Sequence, residues 1–144
     1  MNEASPADRR FVKDTAMQLV NPDHPILHHV CRSGFILDAD VIQQMFHLLE
    51  ALGGLGLAAP QVGIDARLFV TARGEVFVNP RILRVEGQYV SAQEGCLSLP
   101  GVTRFKSRCQ RIILAGGDTY EGQQAVVIQH EIDHLNGILI TDEQ

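Results

Sequence analysis

The sequence predicts an α+β fold in which short, mostly antiparallel strands surround a C-terminal helix. Apolar residues recur at helical spacing over residues 38–52 and again near the end of the chain. Between these segments, short apolar runs alternate with glycine- and proline-containing turns, a pattern typical of strands and hairpins. The 144 residues contain no repeat or interdomain linker, so we expect one domain over residues 1–144.

The first predicted helix is an N-terminal extension that begins at Ser5 and ends near Leu19. Serine is a favoured N-cap residue, and Pro6 suits the first helical position. The turn at residues 21–25 contains two prolines, which end the helix. The histidines in or near this turn are expected to be solvated or structural rather than metal ligands; they are His24, His28 and His29.

The second predicted helix spans Asp38 to Leu52 and packs outside the sheet. Its apolar residues fall on one stripe, which consists of Val41, Met45, Leu48 or Leu49, and Leu52. His47 lies off this stripe and is expected to be exposed. Gly53-Gly54 ends the helix, because glycine tolerates the left-handed conformation of a C-cap.

Several short strands are predicted between the helices, each bounded by turn residues. They are placed at residues 67–71, 76–78, 82–85, 88–91 and 111–114. The third and fourth strands are predicted to pair as a hairpin across Glu86-Gly87. A turn at Gly116-Gly117 follows the last strand, and the C-terminal helix begins near Gly122.

The composition excludes several classes of function. A net charge of −5 gives no positive surface for nucleic acid or an anionic membrane. No apolar run approaches the ~20 residues of a membrane span, and the first residues lack the apolar region of a signal peptide. We therefore expect a cytoplasmic protein with reduced cysteines, which are Cys31, Cys96 and Cys109.

The predicted C-terminal helix contains an H-E-x-x-H motif made of His130, Glu131 and His134. On a helix the two histidines are one turn apart on the same face, so both imidazoles can bind one metal ion. The carboxylate of Glu131 can then reach a water bound to that metal and act as a general base. The alternative is an ordinary amphipathic helix that carries two histidines and a glutamate by coincidence.

A catalytic zinc-like site needs a third protein ligand. The ten residues that follow His134 contain no histidine, and their acids, Asp142 and Glu143, lie at the very end of the chain. We therefore place the third ligand upstream, at Cys96, where the preceding Gly95 lets the backbone approach a metal closely. The glycine- and alanine-rich segment at residues 54–63 is predicted to form an ordered cleft wall, with a flexible connector as the alternative.

Three separated segments of the chain resemble, in order, the signature motifs of the peptide deformylases. They are Gly-Leu-Gly-Leu-Ala-Ala-Pro-Gln at residues 54–61, Glu-Gly-Cys-Leu-Ser at residues 94–98, and Gln-His-Glu-Ile-Asp-His-Leu at residues 129–135. The resemblance covers residues 20 to 142, and residues 1–17 have no counterpart in the family. Only a short segment follows the helix that carries the H-E-x-x-H motif, and in this the chain is similar to the compact deformylases of phages. The resemblance implies a peptide deformylase fold.

The same resemblance implies the function: removal of the N-formyl group from the N-terminal formylmethionine of nascent polypeptides, with release of formate. It implies one divalent metal ion, natively Fe²⁺, for which Zn²⁺, Ni²⁺ or Co²⁺ can substitute. Its ligands would be Cys96, His130 and His134. Glu131 would be the general base and acid. The partners would be nascent chains at the ribosome, without direct contact to nucleic acid or membrane, and we expect a monomer.

The remaining site residues are also implied by the resemblance. Gln61 and the backbone N–H of Leu97 would polarise the formyl oxygen. The backbone of Leu55, Gly56 and Gly95 would hold the peptide as an added strand. Val126 and Val127 would line an apolar pocket for its methionine side chain. A pair between Glu94 and Arg108 would support the cysteine loop. The chain departs from the family in its short interval between Cys96 and His130 and in Lys106-Ser107 before Arg108.

Two other functions are compatible with part of this pattern. A small metallopeptidase would also use H-E-x-x-H, but an upstream cysteine ligand argues against it. A metal-binding protein that recognises peptides without turnover would not need both Gln61 and Glu131. Formate release from a formylated peptide separates these alternatives.

Overall fold

The computed structural model describes residues 16–34 and 38–142. These described residues form two α-helices, α1 (Ala39–Leu52) and α2 (Gly122–Leu135), and two short 3₁₀ helices, Pro25–His28 and Ala59–Val62. The strands are β1 (Gly56–Ala58), β2 (Leu68–Thr71), β3 (Val76–Val78), β4 (Ile82–Cys96), β5 (Leu99–Leu114) and β6 (Thr119–Glu121). The α+β fold class is confirmed.

The predicted N-terminal helix is wrong at its C-terminal end, because residues 16–20 have no helical structure. In place of helical bonds, the backbone N–H of Val20 donates to the carbonyl of Gln61 at 2.9 Å. Residues 5–15 of that predicted helix lie outside the described residues.

Helix α1 forms where the apolar stripe predicted it. The Asp38 carboxylate caps the first turn by accepting a hydrogen bond from the Asp40 N–H at 2.9 Å. Gly53 ends the helix in the left-handed conformation, with φ 69°. Met45 and Leu49 are buried, whereas Leu52 at the end of the stripe is 41 % exposed. His47 is exposed, as predicted.

The strands form two antiparallel sheets, with strand orders β1-β2-β3 and β4-β5-β6. The first sheet lies between the two helices, because its residues alternate between two hydrophobic clusters. Leu57, Leu68 and Val70 pack with Met45 and Leu49 of α1. On the other face, Ala58, Phe69 and Phe77 pack with the residues of α2, which are Ala125, Ile128, Ile132 and Leu135. Helix α2 is therefore central.

The predicted hairpin across Glu86-Gly87 is wrong. Residues 82–96 form one strand of 15 residues, β4, which pairs along its length with the 16-residue β5. Gly87 has a positive φ of 80° and lies in a bulge, where Glu86 pairs with Arg111 and Tyr89 with Cys109. A glycine beside a charged residue suits a bulge as well as a turn, so the local sequence did not distinguish them.

The long hairpin also corrects two further expectations. Most of the strands are short, but β4 and β5 are not, and β5 begins at Leu99 rather than near Arg111. The turn that reverses the chain is Leu97-Ser98, next to Cys96.

Among the described residues, no helix has the length and apolar character needed to cross a bilayer.

Candidate metal and substrate site

The three candidate metal ligands, Cys96, His130 and His134, come together at the junction of β4 and α2. One potential ligand atom from each residue lies within 4.8 Å of those of the other two. The Nε2 atom of His134 is 3.3 Å from the Sγ atom of Cys96. The histidine rings meet edge to face, with centroids 4.9 Å apart, as one helical turn between them dictates. A thiol and two imidazoles are a donor set that suits a catalytic divalent metal with an open position.

His130 is oriented by a buried network of charges. Its Nδ1–H donates to Oε1 of Glu94 at 2.9 Å, which leaves Nε2 available to a metal. Arg108 donates to both Glu94 oxygens, from Nε and Nη2, at 2.7 Å each. Its Nη1 donates to Oδ2 of Asp133, also at 2.7 Å. The pair between Glu94 and Arg108 that the sequence suggested is present, and Asp133 extends it.

This network shifts the pKa values of its members. Burial alone would raise the pKa of Glu94, but hydrogen bonds from Arg108 and His130 lower it to about 2. Burial opposes the charged form of Arg108, yet its bonds to Glu94 and Asp133 raise its pKa. Burial lowers the pKa of His134 to about 3, so its imidazole is neutral at physiological pH. A neutral imidazole is the form that binds metals.

Glu131 lies in the wall of the same site and is 3 % exposed. Burial raises the pKa of its carboxyl group to about 7, which suits a group that both accepts and returns a proton near neutral pH. Its Oε1 atom is buried and has no hydrogen-bond partner among the described residues. A buried carboxylate oxygen without a protein partner is the atom expected to meet a water or a substrate.

Gln61 is held by two hydrogen bonds in the 3₁₀ helix that follows β1. Its Oε1 accepts from the Ala58 N–H at 2.8 Å, and its Nε2 donates to Oγ of Ser98 at 3.0 Å. The same Nε2 lies 3.8 Å from Sγ of Cys96. Gln61 and Ser98 are 1 % and 2 % exposed, so the amide is fixed beside the cluster.

A cavity of about 630 Å³ opens beside the metal-ligand cluster. Ten of the eleven site residues named from the sequence line it, and the eleventh, His134, is buried. The ten are Leu55, Gly56, Gln61, Gly95, Cys96, Leu97, Val126, Val127, His130 and Glu131. Segments that are far apart in the chain therefore meet in one cleft between β1, the end of β4 and α2.

Sequence reasoning gave no role to several residues that take part in this site. Ser98 and Asp133 lie inside the signature motifs, and they form hydrogen bonds to Gln61 and Arg108. Gln93 and Gln123 line the cavity. Gln123 could have been found from its spacing, because it lies two turns before His130 on the same face of α2.

Comparison with known proteins decides the family. The family model for polypeptide deformylase matches residues 16–144. The chain belongs to the polypeptide deformylase family. The match begins at residue 16, a few residues before the segment in which the motifs resemble the family. As a member of this family, the protein is an enzyme that removes formyl groups from nascent peptides.

Individual relatives agree with this assignment. The peptide deformylase of Borreliella burgdorferi is 42 % identical over 116 residues, which cover 72 % of this chain and 70 % of that protein. The crystal structure of the Thermotoga maritima peptide deformylase has a TM-score of 0.79 and 35 % identity, covering 88 % of this chain and 96 % of that one. The deformylase of Vibrio parahaemolyticus bacteriophage VP16T, solved with actinonin, has a TM-score of 0.78 and 34 % identity, covering 86 % and 100 %.

Proposed function

We propose that this deformylase hydrolyses the formamide of N-terminal formylmethionine on nascent polypeptides, releasing formate, in the cavity beside Cys96. The observation that carries the proposal is the meeting of three ligand atoms within 4.8 Å with a buried carboxylate, Glu131, in one cavity wall. The volume of this cavity, about 630 Å³, is within the range of small-ligand sites and supports binding of a peptide end there.

Cys96, His130 and His134 are the residues that would hold one divalent metal ion, through Sγ and the imidazole nitrogens. When bound, the ion supplies Lewis-acid polarisation and lowers the pKa of a coordinated water. We propose Fe²⁺ as the native ion, with Zn²⁺, Ni²⁺ or Co²⁺ able to replace it, since one thiolate and two imidazoles suit all four. Glu94 and Arg108 would keep His130 in the tautomer with Nε2 available.

Glu131 is assigned the proton transfers of the reaction. Its carboxylate takes a proton from the water that attacks the formyl carbon, and it returns a proton to the methionine nitrogen as the C–N bond breaks. The products are formate and a free amino terminus. The burial that raises the Glu131 pKa to about 7 supports both roles, because such a group exchanges protons readily near neutral pH.

The formyl oxygen would be polarised by Gln61 Nε2 and the backbone N–H of Leu97. Gln61 is immobilised by Ala58 and Ser98, so its amide requires little reorganisation during the reaction. The peptide backbone would add as a strand beside Leu55, Gly56 and Gly95. The methionine side chain would lie against Val126 and Val127, which precede His130 by about one turn and line the cavity.

Several wider features belong to the same proposal. Residues 1–144 would form a single catalytic domain that acts as a monomer in the cytoplasm. Its partners would be formylmethionyl chains as they leave the ribosome, with no direct contact to nucleic acid or membrane. The net charge of −5 supports the absence of a nucleic-acid surface.

Formate release from formyl-Met-Ala-Ser tests the proposal. Protein loaded with Fe²⁺ under anaerobic conditions should release formate and a free amino terminus in equal amounts. Glu131→Gln keeps the shape of the side chain but removes the base, so it should keep the metal and lose turnover. No formate from metal-loaded wild-type protein would disprove the proposed reaction, and cleavage of an internal peptide bond would favour a metallopeptidase.

A further inference from the structure

The catalytic carboxylate proposed above packs directly against the backbone of Gly56. A Cβ atom added at Gly56 would lie 2.5 Å from Oε2 of Glu131, 2.9 Å from its Cδ and 3.0 Å from its Cγ. These distances are shorter than nonbonded carbon contacts, whose optimum is ~3.5–4.0 Å. The place that a methyl group would take at residue 56 is therefore occupied by the end of the Glu131 side chain.

The conformation of the backbone does not require glycine at this position. Gly56 lies in β1, pairs with Thr71 of β2 and is not among the glycines with positive φ. Alanine can adopt such an extended backbone. Glycine is therefore needed at residue 56 because there is no room for a side chain, not because the backbone requires it.

We propose that Gly56 is a positioning residue for Glu131: its bare backbone forms the wall that sets where the carboxylate lies. Glu131 is 3 % exposed and borders the cavity, so a methyl group at residue 56 would push its carboxylate out of its present position and toward the cavity. Its Oε1 atom has no partner among the described residues, so packing rather than a hydrogen bond to Oε1 holds it. The inference rests on the proposed role of Glu131 as the base.

Gly56 also lines the cavity, and a simpler explanation is that it only leaves room for the peptide. The two explanations differ in the kinetic constant that alanine would change. If the methyl group displaces Glu131, kcat falls while KM changes little. If it only obstructs the peptide, KM rises and kcat is kept.

The kinetic test compares Gly56→Ala with wild-type protein and with Gly34→Ala, using formyl-Met-Ala-Ser and equal loading with Fe²⁺. Gly34 has no atom within 4 Å of an added Cβ and no positive φ, so Gly34→Ala should match wild type. Gly56→Ala should keep its metal and lose about 100-fold in kcat, as expected for a small misplacement of a catalytic group. Unchanged kcat in an active enzyme would overturn the inference and leave the proposed function intact.

A second test uses unfolding of the metal-free protein and needs no activity. Glu131→Ala removes the three atoms nearest to the new methyl group. Gly56→Ala should therefore lower the urea midpoint in the wild-type background and lower it much less in the Glu131→Ala background. Equal losses in both backgrounds, or failure to fold in both, would mean that the methyl group meets another part of the fold, and the inference would be wrong.

Discussion

The Nδ1 atom of His130 lies 2.9 Å from Oε1 of Glu94, in a carboxylate that also accepts two hydrogen bonds from Arg108. One side chain thus links a proposed metal ligand to a buried cation on β5. Because the carboxylate fixes the tautomer and the ring orientation of the histidine, the proposed metal site depends on residues other than its three ligands.

Glu94→Gln should lower metal affinity by about 10- to 100-fold, since an amide has one acceptor oxygen and cannot accept all three hydrogen bonds that Arg108 and His130 donate to the carboxylate. The measurement is competition between the zinc-loaded protein and a chromophoric chelator. Glu86→Gln is the matched control, because Glu86 lies on the same strand in an exposed ion pair with Arg84. Equal metal retention by the two variants would contradict the proposed support of His130.

Arg108→Met should lower the free energy of unfolding by about 3–5 kcal/mol, because it leaves buried Glu94 without its cation. Arg111→Met is the control. Arg111 lies on the same strand, about half exposed, with 3.6 Å between its Nε and Oε1 of Glu86, and its loss should cost less than about 1 kcal/mol. Urea unfolding of the metal-free proteins gives both free energies. If the two variants lost similar amounts of stability, burial of the Arg108 ion pairs would not explain the loss.

Cys96 should be the thiol that reacts fastest in the metal-free protein. It is partly exposed, whereas Cys31 and Cys109 are 4 % and 5 % exposed. Burial, together with nearby Asp65, raises the pKa of the Cys31 thiol, which lowers its thiolate fraction. Reaction with a disulfide reagent at pH 8 should show one fast thiol, and loading with Zn²⁺ should protect it.

Cys96→Ser is the control for that reaction. The variant should lack the fast phase with or without metal, and it should retain less metal than wild type on elemental analysis. If the fast phase of the thiol reaction were still present in Cys96→Ser, or if metal loading did not slow it in wild type, Cys96 would be excluded as a ligand.

Ser98→Ala should lower kcat by about tenfold, the equivalent of ~1.4 kcal/mol, because the Gln61 amide loses the hydroxyl that orients it. Gln61→Ala, which removes the donor itself, should lower kcat by about 10²- to 10³-fold. Ser91→Ala changes an exposed serine on β4 and should match wild type. The decisive quantity is the kcat of the double variant Ser98→Ala/Gln61→Ala, which should be no lower than the kcat of Gln61→Ala alone.

The central part of the fold could be predicted because it depends on short-range patterns. Helix α1 carries its own cap and stop signals in Asp38 and Gly53, and α2 carries an apolar face at helical spacing. Nine of the eleven predicted site residues could be named because three motifs contain them in order, and ten of the eleven line one cavity.

The long hairpin could not be predicted from local patterns. Whether Gly87 makes a turn or a bulge depends on its partner strand, and the residues paired on either side of it are 20 and 25 positions apart in the sequence. The roles of Ser98 and Asp133 are similar, since each is defined by a contact to a distant residue, Gln61 or Arg108. Sequence spacing within one element carries no signal for such contacts.

The β4–β5 hairpin imposes a rule on the length of the chain near the active site. Val90 is opposite Arg108 and Glu94 is opposite Arg104, so Glu94 and Arg108 project on the same side of the paired strands. Since side chains alternate along a strand, one residue inserted between Arg104 and Arg108 would turn Arg108 away from Glu94. Homologues and engineered variants should therefore change length in this stretch of β5 by two residues at a time, or add a compensating bulge.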